Sequence, residues 1–376
     1  MGDNTKESAF MDEDVYKKVS ESAKQHWVSF LMIFIGMWAS LGAIGVGVDI
    51  GTKLTPWKAS LAFFIGYVIC MVFGYLVGEI GRREGFATAV LCERPFSKYG
   101  KLLPAFLSFI IAGIFIGVQA DAIARIAMSI LGFEVNEGFN LVRGLVSAGL
   151  CSLMMFSSYR GIKYIKIISW ISVPIFLILL ISTFFLSIAK YPGGLSAIMT
   201  TEANEVSFSS VMFLGVSLYA GFSAFMPDVS RFVSTRSGLL KALVIGYVAS
   251  TFIPIWGLVV GVAQGGGAYY NVFSHYGVAF SIFAIVGLFL LQWTTNDSNA
   301  FTSGLSLSTI FTTLNNRYKS IPRLSRKQAT LVPAIVGITL AFVGSGAVSS
   351  ILAFVRCSWR MVSSNGGSFN CSLLCG

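Results

Sequence analysis

From residue 242 to residue 296 the chain carries no formally charged side chain. A stretch of that length cannot form the surface of a water-soluble domain. The constraint recurs along the sequence. Residues 167–189 form a run of 23 without a charge, and ~20 helical residues cross the hydrocarbon of a bilayer. Apolar runs of comparable length, several with one or two charges, fall near 26–49, 57–80, 102–131, 139–157, 166–189, 207–226, 242–263, 277–293 and 331–348. They are continuously apolar rather than alternating, which favours helices over the strands of a barrel. The chain is 55% hydrophobic and 12% charged, with a mean hydropathy of +0.75, a bias no soluble domain needs. The expectation is an all-α membrane protein, a polytopic helical bundle of nine to ten spans.

The basic residues set its orientation. Loops after the second, fourth, sixth and eighth runs hold Arg82, Arg83, Arg94, Lys98, Lys101, Arg160, Lys163, Lys166, Arg231, Arg236, Lys241, Arg317, Lys319, Arg323, Arg326 and Lys327. The opposite loops hold only Lys53, Lys58, Arg143 and Lys190. The positive-inside rule places the first set, and the N-terminus, in the cytoplasm. The net charge of +10 is therefore read as topology. No basic stripe interleaves with aromatics, so nucleic acid is not an expected partner. The lipid bilayer is, and the plasma membrane is the expected location.

Residues 1–25 are polar and mixed in charge, and read as a cytoplasmic tail without the pattern of a cleaved signal peptide. Neither His26 nor His275 has a carboxylate or cysteine at ligand spacing. Cys70, Cys92 and Cys151 lie in or beside apolar runs and read as packing residues. No nucleophile, base and orienting group assemble locally, so the chain is not read as an enzyme, and no cofactor is expected. Asp121 and Arg125, four residues apart on one span, read as a self-neutralising pair.

Two features remain. A dense polar cluster, Gln292-Trp293-Thr294-Thr295-Asn296-Asp297-Ser298-Asn299, follows the eighth apolar run. Polar side chains at membrane depth face a bundle interior or a watery cavity, which makes the cluster a candidate solute or ion site. The alternative is a cap on the span at the water interface. The second feature is glycine. The first run contains Gly36, Gly42, Gly45 and Gly47 around Trp38-Ala39-Ser40, and the sixth contains Gly215 and Gly221 around Tyr219. Such glycines serve either close helix packing or paired mid-membrane breaks that free backbone groups for substrate and ions. Breaks five spans apart would suit a five-plus-five inverted repeat.

At this point the residues resemble a family. Trp293-Thr294-Thr295-Asn296-Asp297 with Ser303-Gly304-Leu305 resembles the eighth-helix signature of the cytosine/purine permeases, within the nucleobase–cation symporters. Gly161-Ile162 with Ile171-Ser172-Val173-Pro174 resembles the fifth helix, Asp228 with Arg231-Phe232 the end of the sixth, and Gly66, Gly74, Gly78, Gly81 and Gly85 the second and its loop. The resemblance covers roughly residues 20–350. It implies a permease domain over 26–355, with a first repeat near 26–190 and a second near 205–355. It implies a secondary active transporter that takes up a nucleobase or related planar heterocycle, driven by sodium or proton. By the resemblance the ring would stack between Phe115 on the third span and Tyr219 on the sixth, next to Gly221, with Phe222 as the register alternative. A sodium site would use the carbonyls of Gly36, Ser40 and Leu291 and the hydroxyls of Thr294 and Thr295.

Departures qualify what the family implies. Two positions that are polar where cytosine is bound match Ala112 and Leu291 here. A site without those groups would leave the base underpaired, so another purine, pyrimidine or pyrimidine-like vitamin precursor is expected. Beyond Val355 the composition shifts abruptly, and Cys357, Cys371 and Cys375 fall in residues 356–376. That segment reads as an aberrant tail, which would leave the second repeat incomplete. The alternatives are then a truncated membrane protein of the same family that no longer transports, or an ion channel.

Overall fold

The computed structural model describes residues 16–133, 140–265 and 277–343. Fourteen α-helices occupy these residues: α1 Trp27–Trp38, α2 Leu41–Gly51, α3 Pro56–Glu84, α4 Thr88–Leu91, α5 Glu93–Gly100, α6 Leu102–Ile130, α7 Leu141–Arg160, α8 Ile162–Lys190, α9 Gly194–Thr200, α10 Phe208–Ala224, α11 Pro227–Ser230, α12 Arg236–Ala263, α13 Val278–Arg317 and α14 Arg326–Val343. Seven of them are long and apolar enough to cross a membrane, and α1 with α2 forms an eighth span bent by 56°. Helix α10 is apolar but shorter, at 17 residues. Each of the nine expected runs thus has its helix among the described residues. The last part of the ninth run and the tail with Cys357, Cys371 and Cys375 lie outside them, as does His275.

Local chemistry sets the helix ends. The Oγ atoms of Ser40, Ser207 and Thr235 accept from the backbone N–H three residues on and so start α2, α10 and α12. Pro56 opens α3, and Gly85, in the left-handed region at φ 75°, closes it. Gly161 (φ 96°, ψ −172°) separates α7 from α8, a backbone conformation that a side chain would strain.

The packing carries a repeat. Helix α2 packs along α12, and α10 packs along α3, as expected if the first and sixth spans exchange places with the second and seventh. The third and eighth spans, α6 and α13, form the most extensive pair.

Most of the glycines serve close approach. The first span breaks as expected, at Ala39 and Ser40, whose backbones are extended. The sixth does not break in its glycine region. Helix α10 runs unbroken through Gly215 and Gly221 and turns at Phe225–Met226 before α11. Its buried stripe, Val211, Gly215, Tyr219 and Ser223, lies on α3. A Cβ on Gly66 would stand 2.5 Å from the Met212 carbonyl oxygen, and one on Gly81 2.5 Å from Pro227 Cα. Gly47 of α2 faces Gly257 of α12, while Gly51 meets the Leu258 backbone and Gly261 that of Val48, small residues four apart on both helices.

The eighth span also differs from expectation. Helix α13 is 40 residues long and does not end near Trp293. At 1.5 Å per residue it is roughly 60 Å, which puts the polar cluster mid-helix rather than at a water interface.

The Asp121–Arg125 pair forms as read, Arg125 Nε to Asp121 Oδ2 at 2.9 Å, and gains a partner the sequence did not reveal. Arg143 of α7, fully buried, approaches Asp121 Oδ1 at 3.1 Å, and Ser147 donates to the same oxygen. Residues 16–25 lie across the face that carries the basic loops. The Tyr16 hydroxyl meets Thr313 Oγ1 at 2.9 Å and accepts from Lys101, and the Gln25 N–H donates to the Phe232 carbonyl.

The α2–α12 seam yields a test. Ala at Gly257 would drive its Cβ into the Ile44 carbonyl and to 3.0 Å from Gly47 Cα. Gly257→Ala is expected to destabilise the protein by about 1–3 kcal/mol, read as a lower thermal midpoint in detergent. Gly149→Ala, with nothing within 4 Å, should leave the midpoint unchanged or raise it.

Candidate ion and solute site

The break in the first span leaves backbone groups without helical partners, and low dielectric makes that costly. Helix α13 supplies them. Gln292 Oε1 accepts from the Leu41 N–H at 3.1 Å, in the first turn of α2. Thr294 Oγ1 lies 2.9 Å from the Gly36 carbonyl oxygen and 2.7 Å from that of Leu291. Thr295 Oγ1 lies 2.8 Å from the Ala39 carbonyl and 3.2 Å from those of Gly36 and Leu291. The approach depends on glycine: a Cβ on Gly36 would stand 2.9 Å from Thr294 Cβ.

Five neutral oxygens therefore converge from two elements, with two hydroxyl protons shared among three carbonyls. The surplus of lone pairs is a donor set that suits a small hard cation. Of the expected ligands, Gly36, Leu291, Thr294 and Thr295 are brought together. Ser40 differs. Its carbonyl, the expected ligand, accepts from the Ala43 N–H at 3.1 Å and the Ile44 N–H at 3.4 Å at the start of α2, and the carbonyl beside Thr295 is that of Ala39.

The rest of the polar cluster joins helices. Asn296 Nδ2 donates to the Ile116 carbonyl of α6 at 3.1 Å and to Met154 Sδ of α7 at 3.2 Å. Asp297 Oδ1 accepts from both Ser157 and Ser158 hydroxyls at 2.6 Å, and Trp293 Nε1 donates to Ser157 Oγ. Ser303 donates to the Phe109 carbonyl, and Ser306 to Ser108. One stretch of α13 thus holds both: Thr294 and Thr295 face the first span, while Trp293, Asn296 and Asp297 on its other sides fix α13 against α6 and α7.

On the other side of the break stands an aromatic group. Tyr219 stacks on Trp38, with ring centroids 4.4 Å apart and planes 11° off parallel, and Tyr67 meets it edge-on at 4.3 Å. Its hydroxyl donates to the Trp38 carbonyl at 3.1 Å. Tyr219 is 2% exposed, whereas Phe115 is 41% exposed, and among the described residues no ring contact joins the two. Phe222 is half-buried, 5.8 Å from Trp38, and Gly221 is exposed with open space where a Cβ would stand. Sequence reasoning placed Gln292 in the candidate polar cluster but missed Trp38 and Tyr67 as parts of this centre. The signal for Trp38 was its place directly before the break.

Asp228, matched to the end of the sixth helix, is buried and accepts from the Thr88 N–H at 2.8 Å, at the start of α4. Burial pushes its carboxyl above the usual carboxylate range, and the Thr88 N–H and Arg231 oppose that shift.

Comparison with known proteins follows the same lines. Residues 18–374 match the model of a family described as permeases for cytosine/purines, uracil, thiamine and allantoin. The chain belongs to that family. The match continues through the segment read as an aberrant tail. This permease is 24% identical to the cytosine permease of Escherichia coli (strain K12) over 325 residues, 86% of this chain and 72% of that one. Its fold is similar to that of Mhp1, a nucleobase-cation-symport-1 family transporter, solved closed with bromovinylhydantoin bound. The TM-score is 0.69 at 17% identity, over 87% of this chain and 74% of Mhp1. A Na+-coupled sialic acid symporter in a substrate-bound outward-open state gives 0.63 at 15% identity, over 89% of this chain and 75% of that one. The permease thus has the symporter fold that its sequence resembles.

Gln292 provides a test of the centre. Gln292→Met keeps length but removes the acceptor for the Leu41 N–H. The expected cost is about 1–3 kcal/mol for an orphaned buried donor, measured as loss of thermal stability in detergent.

Proposed function

We propose that this permease is a secondary active transporter that takes up a nucleobase-like planar heterocycle together with sodium. The observation that carries the reading is the convergence of the Gly36, Ala39 and Leu291 carbonyls with the Thr294 and Thr295 hydroxyls. All five donors are neutral oxygens. A site without a carboxylate cannot take up a proton in place of a metal ion, which favours sodium over proton as the coupling ion.

The same break would link ion to solute. Gly36 and Ala39 present carbonyls to α13, and Trp38 between them presents its carbonyl to Tyr219 and its ring to Tyr219 and Phe222. Whatever holds the break in this shape stabilises both sides of it. Two ligands that favour one shared conformation bind cooperatively, and the linkage is reciprocal.

The walls for the ring would be Phe115 on α6 and Tyr219, Gly221 and Phe222 on α10. Phe222 has the more accessible face of the two α10 aromatics, and Tyr219 would take part once its stack on Trp38 opens. Ala112 and the Leu291 side chain are both buried and apolar, which supports a heterocycle other than cytosine. The N-terminal segment lies on the face of the basic loops, which supports a cytoplasmic N-terminus.

The sodium assignment is tested by replacing Thr294 and Thr295 with valine, which keeps size and removes both hydroxyls. Uptake of a labelled base should lose its sodium dependence; unaltered dependence would refute the assignment. For the ring, Phe115→Ala and Phe222→Ala should each weaken base binding by ~1–3 kcal/mol if stacking dominates. Leucine at either position should restore little, since it supplies apolar area without a π-face. Equilibrium binding of labelled bases measures both, and full affinity in both alanine variants would remove the pair from the site.

A further inference from the structure

Helix α8 packs against both α1 and α13, yet it contributes none of the five oxygens. Two of its serines, Ser169 and Ser172, are each 1% exposed, and neither hydroxyl has a hydrogen-bond partner among the described residues. That is unusual for a helix. A buried serine or threonine ordinarily turns its hydroxyl to a carbonyl three or four residues back. On this same helix Thr183 does so to Leu179 at 2.7 Å, and Ser182 does so at 3.1 Å. An unmet hydroxyl in a dry interior is costly unless something else meets it.

The surroundings of Gly36 indicate what that is. A Cβ built on Gly36 would stand 3.1 Å from Thr294 Oγ1 and 3.3 Å from Ser169 Oγ. The two hydroxyls therefore lie against the same point, beside a residue whose carbonyl belongs to the ion site. Glycine keeps that point clear of any side chain. We propose that Ser169 is a further oxygen ligand of the coupling cation, the one donated by α8. The inference rests on the reading of the five-oxygen set as a cation site. With its lone pairs on the ion, Ser169 can give its proton to the carbonyl one turn back, that of Ile165, as helical serines do. The added ligand is another neutral hard oxygen, the donor type such an ion prefers. It also ties a third element to the α1–α13 site.

The experiment reads ion binding without transport. Thermal midpoints of the purified full chain are measured against sodium chloride, with choline chloride holding ionic strength constant. A ligand of the folded state raises the midpoint as its concentration passes its Kd. Ser169→Ala should move the sodium concentration of half-effect up about tenfold, equivalent to ~1.4 kcal/mol. Its midpoint without sodium should be unchanged or higher, because an unmet hydroxyl has been removed. Ser169→Cys, close in size but with soft sulfur in place of oxygen, should weaken sodium in the same direction and guards against a packing defect in the alanine variant. Ser172→Ala should follow the parent, and Thr295→Val should abolish the sodium effect. If Thr295→Val abolishes it while both Ser169 variants overlay the parent, Ser169 is no ligand and the five-oxygen site stands. A sodium-free midpoint that falls with an unmoved half-effect would equally overturn the proposal, by showing a structural role. No sodium effect in the parent would remove the cation site itself, and the inference with it.

Discussion

The two-residue break in the first span is the constraint on which the centre of this permease depends. Extended backbone at Ala39 and Ser40 leaves carbonyls and amides without helical partners, in surroundings where water cannot supply them. Thr294, Thr295, Gln292 and Tyr219 meet four of these needs. Three come from one helix, so α13 must pass the break closely and in a fixed register. Its continuity through the polar cluster follows, because a second break there would add unmet groups where the first break already needs donors and acceptors. Gly36 follows as well, since any side chain would hold α13 away.

Around that centre, the apolar packing divides. One core gathers Phe34, Trp38, Tyr67, Tyr219 and Tyr247, and a second gathers Ile116, Ile123, Phe176, Leu288 and Leu291. The break in the first span falls where the chain passes from one to the other, Trp38 belonging to the first and Ala39 to the second. An apolar core transmits position by close packing, whereas a polar seam of hydroxyls and carbonyls can exchange partners without opening a cavity. An ion that joins such a seam changes which conformation is held without rebuilding either core.

Much of this was legible in the sequence, and for identifiable reasons. Apolar runs declare spans because a bilayer admits little else, and Thr294-Thr295 stood out as a candidate site because paired hydroxyls at that depth need a reason. The Asp121–Arg125 pair was legible because four residues make one helical turn. Its buried partner Arg143 was not, because nothing local relates positions on two different helices. The glycines misled in one place. Gly215 and Gly221 looked like a second break, but Gly215 packs α10 on α3, and the turn comes after them, at Phe225–Met226.

By itself, then, the sequence determined the helical class, the places of the apolar helices among the described residues, the distribution of charge along the chain and the residue types proposed for the ion site. These depend on hydropathy, charge and one-turn spacing, all of which are local. Only the tertiary structure decided that the polar cluster lies mid-helix, that Ala39 presents the carbonyl beside Thr295, that Tyr219 is covered by Trp38, and that Ser169 of α8 lies beside Gly36. Those facts depend on how close separate helices come and in what register, and that distance is set by which side chains are absent from the interface.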